Sequence, residues 1–464
     1  MESLELDDIQ GLVARGYGRL RAARWLAFRF GDAAAARSWL GRIAPQVTTA
    51  SQDPRDHAIQ LALTHGGLVS LGLPEAVGKQ FAPEFREGMV TEHRQRVLGD
   101  FGADAPGNWR WGGGSNPPID GLLMLYATND SELSALAGRA RADLESAGIE
   151  VLVSMDTTDI GDVEPFGFRD GISQPVPDGF GRDGRKEDTI RPGEFVLGYA
   201  NEYGLLTDRP LVPPGSANAD LLPPDSAGSA DRDLGRNGSY LVVRQLEQDV
   251  PGFWKFIDQH AETAGLEPVA LATKMVGRWP GGAPLALAAS ADDAELAAAN
   301  DFGYHTGDPD GLACPVGAHI RRANPRDSLD PDPGSSDSIA VNKRHRILRR
   351  GRAYGPLLSR EKALAATAPD GIERGLHFAC IVGNISRQFE FVQHTWANNP
   401  KFDGLYDEVD PITGPRETGG SNFSMPANPV RTRLTGIPSF VTVRGGAYFF
   451  MPGLRAIRYL AALT

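Results

Sequence analysis

The chain has 464 residues, a formal net charge of −12, 41% apolar and 23% charged residues. That is an ordinary globular composition with more length than one core comfortably fills, and its acidic balance argues against a general nucleic-acid binder. Two cysteines, Cys314 and Cys380, are too few for a disulfide framework or a cysteine-based zinc site, and they fit a reducing compartment.

The N-terminus, MESLELDDIQGLV, is acidic and lacks a twin-Arg pair with an apolar run, so the expectation is a cytoplasmic protein without an export signal. No apolar run approaches a membrane span, and no membrane association is expected. Ala23–Phe30 reads as a strand, followed by a helix with Asp32 as N-cap and Trp39, Leu40 and Ile43 on one stripe. Gly121–Ala127, a helical stretch from Asp130 to Ala147, and Glu150–Met155 continue as strand, helix, strand. Glu164–Pro175, EPFGFRDGISQP, is neither strand nor helix. Its charged pair either closes a surface turn or aims Asp170 at something.

Thr207–Ser239, rich in Pro, Asp, Ser and Gly, reads as a long surface loop. Tyr240–Leu246 then repeats the opening plan, with Asp249 at a helix start and Trp254 and Ile257 on a stripe. Gly375–Ser386 and Phe389–Gln393 are further strand candidates, before the closing GGAYFFMPGLRAIRYL. Two halves that begin alike predict an α+β protein built from duplicated ferredoxin-like units with antiparallel sheets, divided as 1–236 and 237–464.

Nine histidines include no HExxH and no close ligand pair. His319, in CPVGAHIRRANPRDS, stands before an arginine run. A lone histidine among apolar neighbours is commonly structural; the alternative is a single axial ligand to haem iron, with adjacent arginines anchoring the propionates. The run NKRHRILRRGRAYGP, Asn342–Pro356, reads as a solvated basic face or a polyanion patch, although Ile347 and Leu348 imply partial burial that would turn Arg349 inward.

Taken together, GFRDGISQP, CPVGAHIRRANPR and HRILRRGRAYGP resemble, in order, the GxxDG, proximal-histidine and distal-arginine segments of dye-decolourising peroxidases. Leu61–Met89 and the closing segment are also similar to this family, so the resemblance spans nearly the whole chain. The long loop and the RRG form resemble its larger members.

The resemblance implies haem b held mainly by the C-terminal half, with His319 as axial ligand, Asp170 as distal acid and Arg349 as distal arginine. It places Arg326 toward a haem propionate and suggests Glu390 as acceptor for the far nitrogen of His319. Leu376 and Phe378 would wall the distal pocket unless they are plain sheet residues. Tyr354 matches an electron relay, with Trp396 a weaker candidate. Some branches carry Asn where this chain has Gly351.

The implied activity is reduction of hydrogen peroxide through a ferryl radical-cation intermediate, with oxidation of bulky phenolic or dye-like donors. Two other readings stand beside it: a haem carrier with little turnover, which needs neither Asp170 nor Arg349, and a polyanion binder using Lys343–Arg352. The sequence leaves monomer and homodimer both open.

Overall fold

Strands buried on both faces of one sheet build the frame. The computed structural model describes residues 3–366, 370–416 and 420–464, so the first two residues of the acidic N-terminal stretch lie outside it. In the first half β1 (Ala22–Arg29), α1 (Ala33–Ile43), β2 (His57–Leu63), β3 (Gly121–Ala127), α2 (Asp130–Ser146) and β4 (Glu150–Asp156) follow in order. The second half contributes β5 (Ser239–Gln248), α3 (Val250–Ala264), α4 (Pro268–Val276), α5 (His319–Ala323) and α6 (Ser336–Lys343). It continues with β6 (Leu348–Arg349), β7 (Arg352–Tyr354), β8 (Gly375–Val382), β9 (Val441–Met451) and α7 (Leu454–Ala461).

These strands form one antiparallel sheet in the order β6–β8–β5–β9–β2–β3–β1–β4, with β7 also on β8. Each half thus repeats the ferredoxin-like order, its fourth strand beside its first and its third beside its second. The halves join where Phe450 of β9 stands opposite Leu63 of β2. Leu26, Phe28, Leu61, Leu123 and Val242 bury on one face with Trp39 and Leu40 of α1 and Ile457 of α7. Trp25, Ala27, Met124, Leu241 and Val243 bury on the other with Leu12, Val13 and Phe195. Each such apolar side chain contributes roughly 1.5–3 kcal/mol.

The predicted caps form: Asp32 accepts from Ala35 N at 2.8 Å and Asp249 from Gly252 N at 2.9 Å. Phe389–Gln393 is not a strand. It falls in the π-helical turns Ser386–Glu390 and Val392–Ala397. Asn384 Oδ1 accepts from Arg387 N at 2.9 Å, and Gln388 Oε1 accepts from Asn384 N at 2.9 Å, so local side chains start a helical turn despite strand-like alternation. The 207–239 segment is less superficial than its composition predicts. Arg209 bonds Asp225 and Asp233, and Asp233, Leu234, Arg236 and Asn237 are buried.

One asymmetry positions the site. In the first half α1 packs directly on the sheet. In the second, Phe253, Trp254 and Ile257 of α3 bury instead against Phe166, Phe168, Phe423 and Phe440, and a cavity separates this layer from the strands. Among the described residues, no helix is long and apolar enough to cross a membrane.

Candidate active site

The cavity measures about 840 Å³. Leu246 of β5 and Leu376 and Phe378 of β8 line its sheet side, and Val276 of α4 and Ile320 of α5 face it from the helical layer. Leu376 and Phe378 are therefore wall residues, and they lie on the sheet face that elsewhere forms the main core.

His319 opens α5 and lines the cavity, with a third of its side-chain surface open. Its Nδ1 lies 2.8 Å from Asp410 Oδ2. Asp410 is fully buried, and its other oxygen accepts from Ile412 N at 2.8 Å and Thr413 N at 2.9 Å. Burial works against the Asp410 charge, but His319 and the Thr413 amide overcome it and hold the carboxyl well below the usual range. An ionised carboxylate only accepts, so His319 Nδ1–H donates, and in the neutral ring Nε2 carries the lone pair. Burial lowers the affinity of His319 for a second proton, and Asp410 more than restores it.

Glu390 does not fill the role expected of it. Its oxygens accept from Arg94 Nη1 and Tyr448 Oη, each at 2.8 Å, inside a buried cluster of their own. The true partner, Asp410, sits 91 residues beyond His319 in DPITG. An Asp followed by Pro, with amides two and three residues on turning back to it, is the local signal that could have found it.

Asp170 and Arg349 also line the cavity. Arg349 Nη1 donates to Asp170 Oδ1 at 2.6 Å, with 30% and 43% of the two side chains open. Burial again opposes the charge, and the Arg349 guanidinium prevails, holding the Asp170 carboxyl below its ordinary value. Gly167 and Gly171 flank this segment at φ +98° and +81°, a backbone that favours glycine. Arg349 is fixed by β6, where it stands opposite Cys380, and its amide donates to Gln174 Oε1 at 3.1 Å. Gly351 passes so close to β8 that a Cβ there would lie 2.8 Å from His377 O.

Other arginines line the cavity too, among them Arg278, Arg326 and Arg346. Arg326 Nη1 donates to Asn300 O at 2.9 Å, and Arg346 Nη1 to Asp188 Oδ1 at 3.1 Å. Among the described residues, Arg278 Nη2, Arg326 Nε and Arg346 Nη2 have no hydrogen-bond partner. Burial pulls Arg278 down to about 10, and the charges of Arg326 and Arg349 add to the fall. A surplus of buried cationic donors beside apolar walls suits a flat apolar group bearing carboxylates. One histidine facing that space with a free lone pair suits a metal held by that group. The residues present therefore fit haem.

The rest of the basic run is neither a solvated face nor a polyanion patch. Arg350 Nε donates to Leu12 O at 2.6 Å and Arg352 Nη2 to Tyr17 O at 2.8 Å, so these arginines pin the N-terminal segment. Tyr354 stacks on His377 with centroids 4.6 Å apart, behind the cavity wall. Trp396 is buried against His345 and Phe391. Sequence reasoning gave no site role to Asp410, Arg278 or Arg346; Arg346 is hidden among its neighbours in the basic run, and Arg278 stands alone without a spacing signal.

No protein-family model matches the chain. It is 31% identical to a dye-decolorizing peroxidase of Mycena epipterygia, covering 99% of this chain and 88% of that one. It is 29% identical to a multifunctional dye peroxidase of Amycolatopsis, covering 98% and 96%. Among solved structures, a fungal DyP-type peroxidase from Auricularia auricula-judae superposes with a TM-score of 0.80 at 28% identity over 100% of both chains. A dye-decolorizing peroxidase in complex with 2,6-dimethoxyphenol gives 0.81 at 26% identity, over 99% of this chain and 100% of the other.

Proposed function

The chain belongs to the dye-decolourising peroxidase family and is a hydrogen-peroxide-dependent peroxidase, and on that premise we propose that Asp170, Arg349 and the His319–Asp410 pair carry its chemistry around haem b. The observation that carries this reading is the convergence of the Asp170–Arg349 ion pair and the hydrogen-bonded His319–Asp410 pair on one cavity with apolar walls.

His319 would hold the iron through Nε2, and Arg326, Arg278 and Arg346 would meet the carboxylates. Haem supplies the site where the peroxide O–O bond is cleaved and the oxidising equivalents are stored. Asp170 takes the proton from the entering peroxide oxygen and returns it to the departing one, so that the departing oxygen leaves as water. The depressed pKa suits that work, because the carboxylate stays ionised into acid. Arg349 offers preorganised donors and a permanent charge where negative charge develops on the departing oxygen. Asp410 fixes the tautomer and orientation of His319 and raises its basicity as a ligand.

The relative bound to 2,6-dimethoxyphenol supports an aromatic phenol as electron donor. A haem carrier would need neither Asp170 nor Arg349. We assign Tyr354 and Trp396 no required role, since neither side chain lines the cavity. The division into 1–236 and 237–464 assigns the Asp170 loop to one half and His319, Arg349 and Asp410 to the other. The test is peroxide-dependent oxidation of a phenol by haem-loaded protein. Turnover is expected to require His319, and His319→Ala is expected to lose haem retention; a variant that keeps both would overturn the ligand assignment.

A further inference from the structure

Between Asp162 and Asp170 the chain doubles back on itself. Glu164 N donates to Phe168 O at 2.9 Å, Gly167 N to Glu164 O at 2.8 Å, and Asp170 N to Asp162 O at 3.0 Å. Inside this bend lies the Glu164 side chain. Its Oε2 accepts from Phe166 N at 3.0 Å and from Gln248 Nε2 at 2.8 Å, and its Oε1 accepts from Phe168 N at 3.0 Å. Gln248 ends β5, so the third bond ties the bend to the sheet.

The two aromatic side chains between these bonds are buried. Phe166 packs on Phe253 with centroids 4.5 Å apart, and Trp254 Nε1 donates to Phe166 O at 3.2 Å. Opposite them, the same bend delivers Asp170 to Arg349.

We propose that Glu164 is a positioning residue for Asp170, its carboxylate clamping the bend to itself and to β5 so that Asp170 stays in register with Arg349. The inference rests on the reading of Asp170 given above. A carboxylate suits this task because all three partners are donors, and an ionised acceptor makes the stronger bonds. Among the described residues, no other side chain accepts from these two amides. Without the clamp they lose their partners inside a tight bend, and small misplacement of a proton-transfer group costs rate steeply.

The test uses haem-loaded full-length protein at pH 8, where Glu164, pushed up to about 7 by burial, is ionised. Rates of the haem spectral change with peroxide are compared for wild type, Glu164→Gln, Asp170→Asn and the double variant. Amide exchange across 164–170 is followed without peroxide. Glu164→Gln is expected to retain haem, slow the peroxide step by about tenfold or more, and speed exchange at the Phe166 and Phe168 amides by a similar factor. Added to Asp170→Asn, it is expected to slow the step by less than about twofold, because it acts through Asp170.

A peroxide rate within about twofold of wild type, or a full additional loss in the double variant, would overturn the proposal. If Asp170→Asn alone leaves the rate unchanged, the assignment of Asp170 fails; amide exchange, which needs no peroxide, then still decides the clamp, and unchanged exchange refutes it. Should Glu164→Gln not fold, Gln248→Leu cuts only the tether to β5, and it must slow the step by about threefold or more for the proposal to stand.

Discussion

Asp170 and Asp410 are both held ionised against burial, by different partners and for different ends. For Asp170 the partner is Arg349, which fixes the sign of a pH effect. A depressed carboxyl keeps its base form above the depressed value and loses it as pH falls through that value. Arg349→Leu removes the depressing charge, so the acid limb of the peroxide step is expected to move to higher pH. The same change is expected to slow the step about 10²-fold; a limb that stays put or moves to lower pH contradicts the assignment. For Asp410 the partner is His319, and Asp410→Asn is expected to weaken haem affinity or activity about 10–100-fold. Glu390→Ala is the contrast. It leaves Tyr448 Oη without its acceptor and removes one of three carboxylates around Arg94, which keeps Glu87 and Glu84, and is expected to cost about 1–3 kcal/mol of stability by denaturant titration. Haem ligation in that variant is expected to be unchanged by absorption spectroscopy. Asp170, His319 and Arg349 were legible because each sits in a motif with its neighbours. Asp410 was not, since its relation to His319 arises only when a distant turn folds beneath α5.

Strands written as apolar runs were legible almost to the residue. Gly121–Ala127 is the plainest case, an unbroken apolar run that the structure buries at every position. Phe389–Gln393 misled because Phe389 and Phe391 alternate like a strand while Asn384 and Gln388 start a helical turn. The stand-off of α3 was also unreadable. Trp254 and Ile257 mark a buried stripe without saying whether it meets the sheet or Phe166 and Phe168. Gly351 joins β6 to β7 against β8. A methyl there meets backbone of β8 on three sides, at 2.8 Å from His377 O and 3.2 Å from Ala379 N and Phe378 Cα. Gly351→Ala is expected to push β6 and β7 off β8, lower stability by about 1–3 kcal/mol and displace Arg349. Thermal unfolding and the peroxide rate read both; a variant with wild-type stability would show that β6 yields without loss.

Across the molecule, two similar halves use their sheets differently. The first closes its core with α1 and α2, whereas the second leaves a cavity of about 840 Å³. Repetition was legible in the sequence, but this difference was not, because it depends on which layer receives the α3 stripe. Haem bound in that space stabilises the fold by linkage, about 2.7 kcal/mol when the free ligand is a hundredfold above its dissociation constant. Haem-loaded protein is accordingly expected to melt above the haem-free form, with most of the gain absent in His319→Ala. Rapid mixing of haem-loaded Asp170→Asn with hydrogen peroxide reads the role of Asp170 in proton transfer without intermediaries. Haem retention is expected, with the spectral change slowed about 10²-fold or more relative to wild type. An unchanged rate would contradict that role.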